Sequence, residues 1–284
     1  MAEDNLSAVL YAVDDLRLEQ VPIPKPGPKQ VLVRVHTVGI CGSDVHYWTH
    51  GAIGPFVVKE PMIVGHETSG VVSEVGSEVK HLKSGDRIAM EPGLPCKLCE
   101  HCKTGRYNLC PEMRFFATPP VHGTLSRYVV HDADFCFKLP DNLSFEDGAL
   151  IEPLSVAIHS CRRGNVQMGH RVLVLGAGPI GVLNLLTAKA VGAGKVTTRS
   201  GGVIVLVGLG ADRVEIPIIE SATREVDIRG IFRYVNCYPT AIELLSSGKL
   251  DLSGLTRAHY KLEETLEAFK RTQKADVIKV FIHC

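Results

Sequence analysis

Four cysteines within fifteen residues, Cys96, Cys99, Cys102 and Cys110, constrain this chain more than any other feature. Their spacing is C-x2-C-x2-C-x7-C, and two-residue gaps let a tight loop turn successive sulfurs inward around one ion. Gly105 helps the loop reverse before Cys110. Four thiolates close a tetrahedral zinc shell at roughly 2.3 Å and leave no place for water, so the expected role is structural. The alternative is free thiols in a loop. The Lys, Glu and His content of the segment argues against it, since unpaired cysteine is usually buried. His101 lies between ligands and is expected to be exposed. The chain has nine cysteines, and its acidic start, MAEDNLSAVL, lacks the basic and apolar regions of an export signal. Metal is therefore the expected use of the sulfur, not disulfides.

The 284 residues suffice for one large or two ordinary domains. Lys plus Arg and Asp plus Glu both number 31, so no net charge attracts nucleic acid or an anionic membrane. No apolar run approaches the roughly 18 residues that span a bilayer. A soluble, cytoplasmic protein that binds neither nucleic acid nor membrane is expected. Residues 6–90 read as short strands punctuated by Gly and Pro, among them 8–11, 31–35, 70–75 and 87–90, which point to a compact β-barrel-like unit. After Glu152 the pattern changes. Residues 155–163 and 180–191 look helical, while 171–175 and 203–207 look like strands, an alternation that predicts a parallel α/β sheet. Further helices are expected after Pro217, over 240–247 and over 263–271, and strands over 226–231 and 277–282.

A second constellation consists of Cys41 in Cys41-Gly42-Ser43-Asp44 and of His66-Glu67 in Gly65-His66-Glu67-Thr68-Ser69-Gly70. Thiolate, imidazole and carboxylate make an open zinc site when the fourth position is left to water, and such an ion is a Lewis acid toward a hydroxyl. Taken alone, a cysteine and a distant His-Glu pair are more often ordinary core and surface residues. The glycine frame around His66-Glu67, followed by Gly76 and Val79, resembles the signature of the zinc-containing medium-chain alcohol dehydrogenase family. The Cys-Gly-Ser-Asp segment and the four-cysteine loop resemble that family in the same order. Within it, 39–48, 105–109, 117–120, 150–155 and 230–234 resemble the polyol (sorbitol, L-iditol) dehydrogenases.

The resemblance implies a GroES-like β-barrel catalytic domain over 1–152, a truncated Rossmann-type parallel-sheet domain over 153–254, and a return segment over 255–284 that packs on the first. It implies two zinc ions per chain, one at Cys41, His66 and Glu67 and one at the four cysteines. Glu152, where other alcohol dehydrogenases of the family carry a cysteine, would hold a water on the catalytic zinc; Cys161 is too far along to substitute. Asp44 would orient His66, and Ser43 and His46 would relay a proton to solvent. Tyr47, Glu152, Arg233 and Tyr234 would bind the hydroxyls of a polyol. For His46 and Tyr47 the alternative is an ordinary loop pair. A homo-oligomer is implied through a surface near 209–235, where Ile216 to Ile219 read equally as buried core.

Residues 171–175 lead into Gly176-Ala177-Gly178-Pro179-Ile180-Gly181, a G-x-G-x-x-G between an expected strand and helix. The three glycines would serve the tight turn, the approach of pyrophosphate and close helix packing, and the helix N-terminus would face the phosphates. The resemblance adds Val207, Gly208, Leu209, Ile231, Phe232 and Arg233 near the nicotinamide of NAD. An acid should follow the fingerprint by about 20 positions to hold the adenosine ribose. Residues 192–202 contain no Asp or Glu. Arg199 could instead meet a 2′-phosphate, but Arg199-Ser200-Gly201-Gly202 resembles the turn into the fifth strand of the family. An internal deletion of roughly sixty residues between Val196 and Thr197 is the simplest account. Strands one and five are not neighbours in the 3-2-1-4-5-6 order, so the sheet must close a gap or leave bare edges.

Overall fold

The computed structural model describes residues 4–193, 200–208, 215–216 and 218–284. Alternating apolar residues in 30–39 build its central strand, Gln30–Gly39, whose Val31, Val33, Val35 and Val38 are all buried. The surrounding sheet has seven strands, which include Cys136–Lys138, Arg87–Met90, Glu67–Val75, the central strand, Lys279–His283 and Arg257–Lys261 in that order. The seventh, Tyr128–Asp132, also pairs with the central strand. Leu6–Ala12 pairs with Asp15–Gln20 and Met62–Ile63 in a smaller sheet over the same core. The expected barrel-like unit is present, and the last strand joins it: Phe281 pairs with Gly39 and His283 with Thr37.

A long helix, Phe145–Arg163, divides the molecule. It begins ten residues before the expected helix at 155. Ser144 and Asp147 form a reciprocal cap, in which the Ser144 N–H donates to the Asp147 carboxylate at 2.9 Å and the Asp147 N–H to the Ser144 hydroxyl at 3.1 Å. The helix continues through Pro153, although proline removes one intrahelical donor. Burial almost all round, from Gly148 to Cys161, supplies the packing that outweighs this cost. The expected domain boundary at 152/153 falls inside this helix. Its far side carries the helices Pro179–Ala190 and Tyr238–Ser246, joined through Leu154, Leu183, Tyr238 and Ala241.

The part expected to be a Rossmann-type sheet is much reduced. Val203–Leu206 and Asp227–Gly230 form a parallel pair, linked by a crossover that includes the short helix Ile218–Thr223. Residues 171–175, expected as a strand, belong to no strand among the described residues. The physical reason is the one the missing segment implies: the partners of a first strand are absent, and the retained pair is not adjacent to it. Its apolar side chains consequently face solvent, Leu173 at 45% and Leu175 at 86% exposure. Ile216, Ile218 and Ile219 are exposed too, so the buried-core reading of that stretch fails. The 196–197 junction, Arg199 and Leu209 lie outside the described residues.

Candidate active site

Cys41 lies two residues past the central strand and caps the helix Gly42–His50, while Glu67 opens the neighbouring strand Glu67–Val75 and His66 immediately precedes it. Glu67 pairs with Gly39, so the sheet register itself carries His66-Glu67 next to Cys41. The ligand atoms of Cys41, His66 and Glu67 lie within 4.8 Å of one another. Asp44 ties the segments together. Its carboxylate accepts the Gly65 N–H at 2.9 Å and the Cys41 N–H at 3.1 Å, and lies 3.4 Å from His66 Nδ1. The first contact requires Gly65 at φ +90°, a left-handed conformation that disfavours any side chain. With Nδ1 turned to Asp44, the other imidazole nitrogen is left for an ion.

The pocket favours positive charge. Burial opposes an imidazolium at His66, yet Asp44 and Cys41 hold its pKa well above the ordinary value. Burial likewise works to raise Asp44, but His66 and the N–H groups of Gly65 and Cys41 hold it below the usual carboxylate range. Glu152, on the long helix and 5% exposed, is pushed up to about 7 by burial and by the Glu67 charge. It stands outside the three-ligand group, beside the buried hydroxyl of Tyr234. Such a donor set fits zinc, with sulfur, nitrogen and oxygen ligands and an acid next to the open side.

Arg233 and Tyr47 join the same pocket, and burial raises the Tyr47 pKa to about 12. Burial also lowers Arg233 to about 10, and its guanidinium lies 3.7 Å from the centre of the Phe115 ring and donates to Thr118 at 3.2 Å. Arg233 has φ +52°, backbone strain of a kind that gathers at functional sites. Ser43 is half-buried and His46 is exposed, stacked on His50; among the described residues no hydrogen bond joins Ser43 to His46.

Sequence reasoning missed Lys279. Its ammonium, 3% exposed, pairs with Glu67 and donates to the Ile40 carbonyl at 2.9 Å. Burial alone would lower it, but Glu67 and Cys41 hold it above the ordinary lysine value. The available signal was a single charge in the apolar run Val277-Ile278-Lys279-Val280-Phe281-Ile282. Glu91 was missed as well. Burial lifts it to about 7, and it accepts from the Tyr107 hydroxyl at 2.6 Å.

The four-cysteine loop closes as expected. Cys96 and Cys102 sulfurs are 3.9 Å apart and those of Cys99 and Cys102 3.4 Å, with all four thiols free. A zinc tetrahedron with roughly 2.3 Å bonds has edges of about 3.8 Å, so the spacing suits the ion and is far too long for disulfides. N–H groups of Leu98 and Cys99 point at Cys96 and lower its thiol to about 7. His101, expected to be exposed, is half-buried.

The dinucleotide fingerprint is formed locally. Gly176 has φ +125°, Gly178 caps the helix Pro179–Ala190, and a side chain at Gly181 would strike the Gly176 carbonyl. Ile180 is half-buried and the turn faces open space. Val207, Ile231 and Phe232 are half-buried and Gly208 exposed. The turn fits a pyrophosphate, whereas the chain offers no acid where the adenosine ribose should lie.

A family model of the alcohol dehydrogenase GroES-like domain matches residues 27–141. The chain is 48% identical to sorbitol dehydrogenase of Macaca fascicularis over 342 positions, covering 99% of this chain and 96% of that protein. It is 47% identical to sorbitol dehydrogenase of Homo sapiens, with the same coverage. Because 342 positions are aligned and the chain has 284 residues, at least 58 positions of the first relative face no residue here. Among solved structures, L-idonate 5-dehydrogenase from Escherichia coli superposes with TM-score 0.92 at 27% identity, covering 99% of this chain and 98% of that one. 2R,3R-butanediol dehydrogenase from Bacillus subtilis gives 0.89 at 28% identity, covering 99% and 100%. The chain belongs to the sorbitol dehydrogenase family of zinc-containing medium-chain dehydrogenases, with a shortened dinucleotide-binding region.

Proposed function

We propose that this chain oxidises a secondary hydroxyl of a polyol such as sorbitol or L-iditol to the ketose, with zinc at Cys41, His66 and Glu67 and NAD as the electron acceptor. The observation that carries this reading is the cluster of those three ligand atoms within 4.8 Å beside a carboxyl that burial lifts to about 7. When bound, zinc supplies Lewis acidity toward the substrate hydroxyl and the nicotinamide accepts a hydride. The chain's own residues do the rest. Glu152 would exchange a proton with the substrate hydroxyl or a water. Arg233, Tyr234 and Tyr47 supply the hydrogen bonds that a polyhydroxylated chain needs. Ser43 and His46, on one helix leading to the surface, would carry the proton outward without a direct bond to each other. The second zinc belongs to Cys96, Cys99, Cys102 and Cys110.

In this reading 1–152 forms the catalytic unit, 153–254 the reduced dinucleotide unit and 255–284 the return. The exposed apolar side chains of Ile204, Leu206, Ile216, Ile218 and Ile219 support assembly with a second copy. No helix among the described residues is long and apolar enough to cross a membrane, and nine free thiols suit a reducing compartment such as the cytoplasm. Incubating zinc-loaded protein with sorbitol and NAD tests the activity. Formation of NADH is expected; none from a folded, zinc-loaded protein overturns it.

Two observations favour a second reading, a zinc-stabilised protein that has lost catalysis. Residues 171–175 have no ladder partners among the described residues, and the ribose acid is missing. Losing a charged hydrogen bond of that kind costs about 1.5 to 3 kcal/mol, or roughly tenfold to a hundredfold in affinity. Fluorescence titration with NADH separates the two readings: micromolar binding supports the enzyme, and no binding supports the inactive form.

A further inference from the structure

Away from the catalytic trio, three polar side chains from three elements converge where the last strand meets the long helix. Glu146 lies in the first turn of Phe145–Arg163. His259 and His283 lie on the neighbouring parallel strands Arg257–Lys261 and Lys279–His283. The register pairs His259 with Phe281, so His283 is two positions further along on the same face. His259 Nε2 is 3.2 Å from Glu146 Oε1, and His283 Nε2 is 3.8 Å from the same oxygen. For metal–ligand bonds near 2.05 Å, a tetrahedral edge is about 3.3 Å, between those two separations.

The surroundings orient these groups as they would for an ion. Arg257 binds the other carboxylate oxygen, Oε2, at 2.6 Å and leaves Oε1 facing the imidazoles. His283 Nδ1 lies 3.2 Å from the hydroxyl of Thr37, a fully buried residue, and that hydroxyl is 2.9 Å from His36 Nδ1. One hydroxyl proton serves one imidazole, so the other ring must donate to the oxygen. If His283 is that donor, its Nε2 presents a lone pair toward Glu146, the arrangement in which a ligating histidine is fixed through its second nitrogen. An open cavity of about 540 Å³, lined in part by Thr37, Glu146, Arg257 and His283, gives access from solvent.

We propose that Glu146, His259 and His283 form a third metal site that takes a borderline divalent transition ion such as Zn²⁺, with water in the open positions. Two imidazoles and one carboxylate oxygen match that class of ion and not the hard cations Mg²⁺ and Ca²⁺. An ion there would staple the last strand to the helix that carries Glu152. It is independent of whether the chain oxidises polyols.

The test is calorimetric titration of Zn²⁺ into tag-free protein already loaded at the cysteine loop and the Cys41 trio. One further equivalent is expected, and Mg²⁺ should give no comparable binding. His259 has half its side-chain surface exposed, so His259→Ala should fold, and it should weaken the added equivalent roughly a hundredfold. Thr37→Val keeps all three ligands and loses the orienting contact; about tenfold weaker binding is expected. Absence of a further equivalent, Mg²⁺ binding as tightly as Zn²⁺, or a His259→Ala protein that titrates like its parent would each overturn the proposal.

Discussion

Asn108 donates its side-chain amide to the Phe232 carbonyl at 2.9 Å and so ties the four-cysteine loop to the arm that carries Arg233 and Tyr234. The Asn236 N–H donates to the Tyr107 hydroxyl at 3.0 Å and adds a second tie. The cysteine loop is therefore linked by two hydrogen bonds to the arm that carries the proposed substrate residues Arg233 and Tyr234. Asn108→Ala should raise KM for the polyol about fivefold, the worth of one hydrogen bond near 1 kcal/mol, with kcat changed less. Steady-state kinetics together with an unchanged zinc content would check this.

Removal of Lys279 should expose the cost of a lone buried charge. In metal-free protein, Lys279→Ala leaves Glu67 buried without its ammonium partner, and a loss of about 3 to 5 kcal/mol is expected. Zinc supplies a replacement positive charge, so added Zn²⁺ should recover part of the loss. Thermal melts of the variant with and without zinc give the comparison.

Glu91 sets a pH dependence of stability. Its folded pKa of about 7 lies above the ordinary 4.5 because burial disfavours the carboxylate. The folded chain therefore holds the extra proton between those values, and this group's contribution declines as pH rises through that window. The span corresponds to about 3 kcal/mol. Denaturant titrations of the parent and Glu91→Gln at pH 5 and pH 8 should show the parent losing more stability on going to the higher pH, by up to that amount.

Legibility followed the distance between partners in the chain. The cysteine loop could be read because its ligands, its Gly105 reversal and its spacing are all local. The Gly65-His66-Glu67 segment needed its glycine frame, and Cys41 needed the register of two neighbouring strands. Lys279 was not read because its partner Glu67 lies some two hundred residues earlier, and the one local signal, a lone charge in an apolar run, does not say which group it meets. The long helix was read only from 155; it runs on from 145 through Pro153, whose missing donor is offset by burial on nearly all sides. The strand expected over 171–175 has the right residues and, among the described residues, no strand partner; a β-branched run becomes a strand only when another backbone takes up its hydrogen bonds.

That last point is itself testable. Amide hydrogens of 171–175 should exchange quickly, since no ladder protects them, while those of Ala149 to Ile158 should be among the slowest. If bound NADH slows exchange at Gly176 to Gly181 as well, the fingerprint turn is in use.

The most direct test of the catalytic metal is elemental analysis of bound zinc, after loosely held ions are dialysed away, in the parent and in Cys41→Ala and His66→Ala proteins. Leaving aside any ion at Glu146, His259 and His283, two ions per chain are expected in the parent and one in each variant, with NADH formation abolished. A single ion in the parent that persists unchanged in both variants would contradict the assignment.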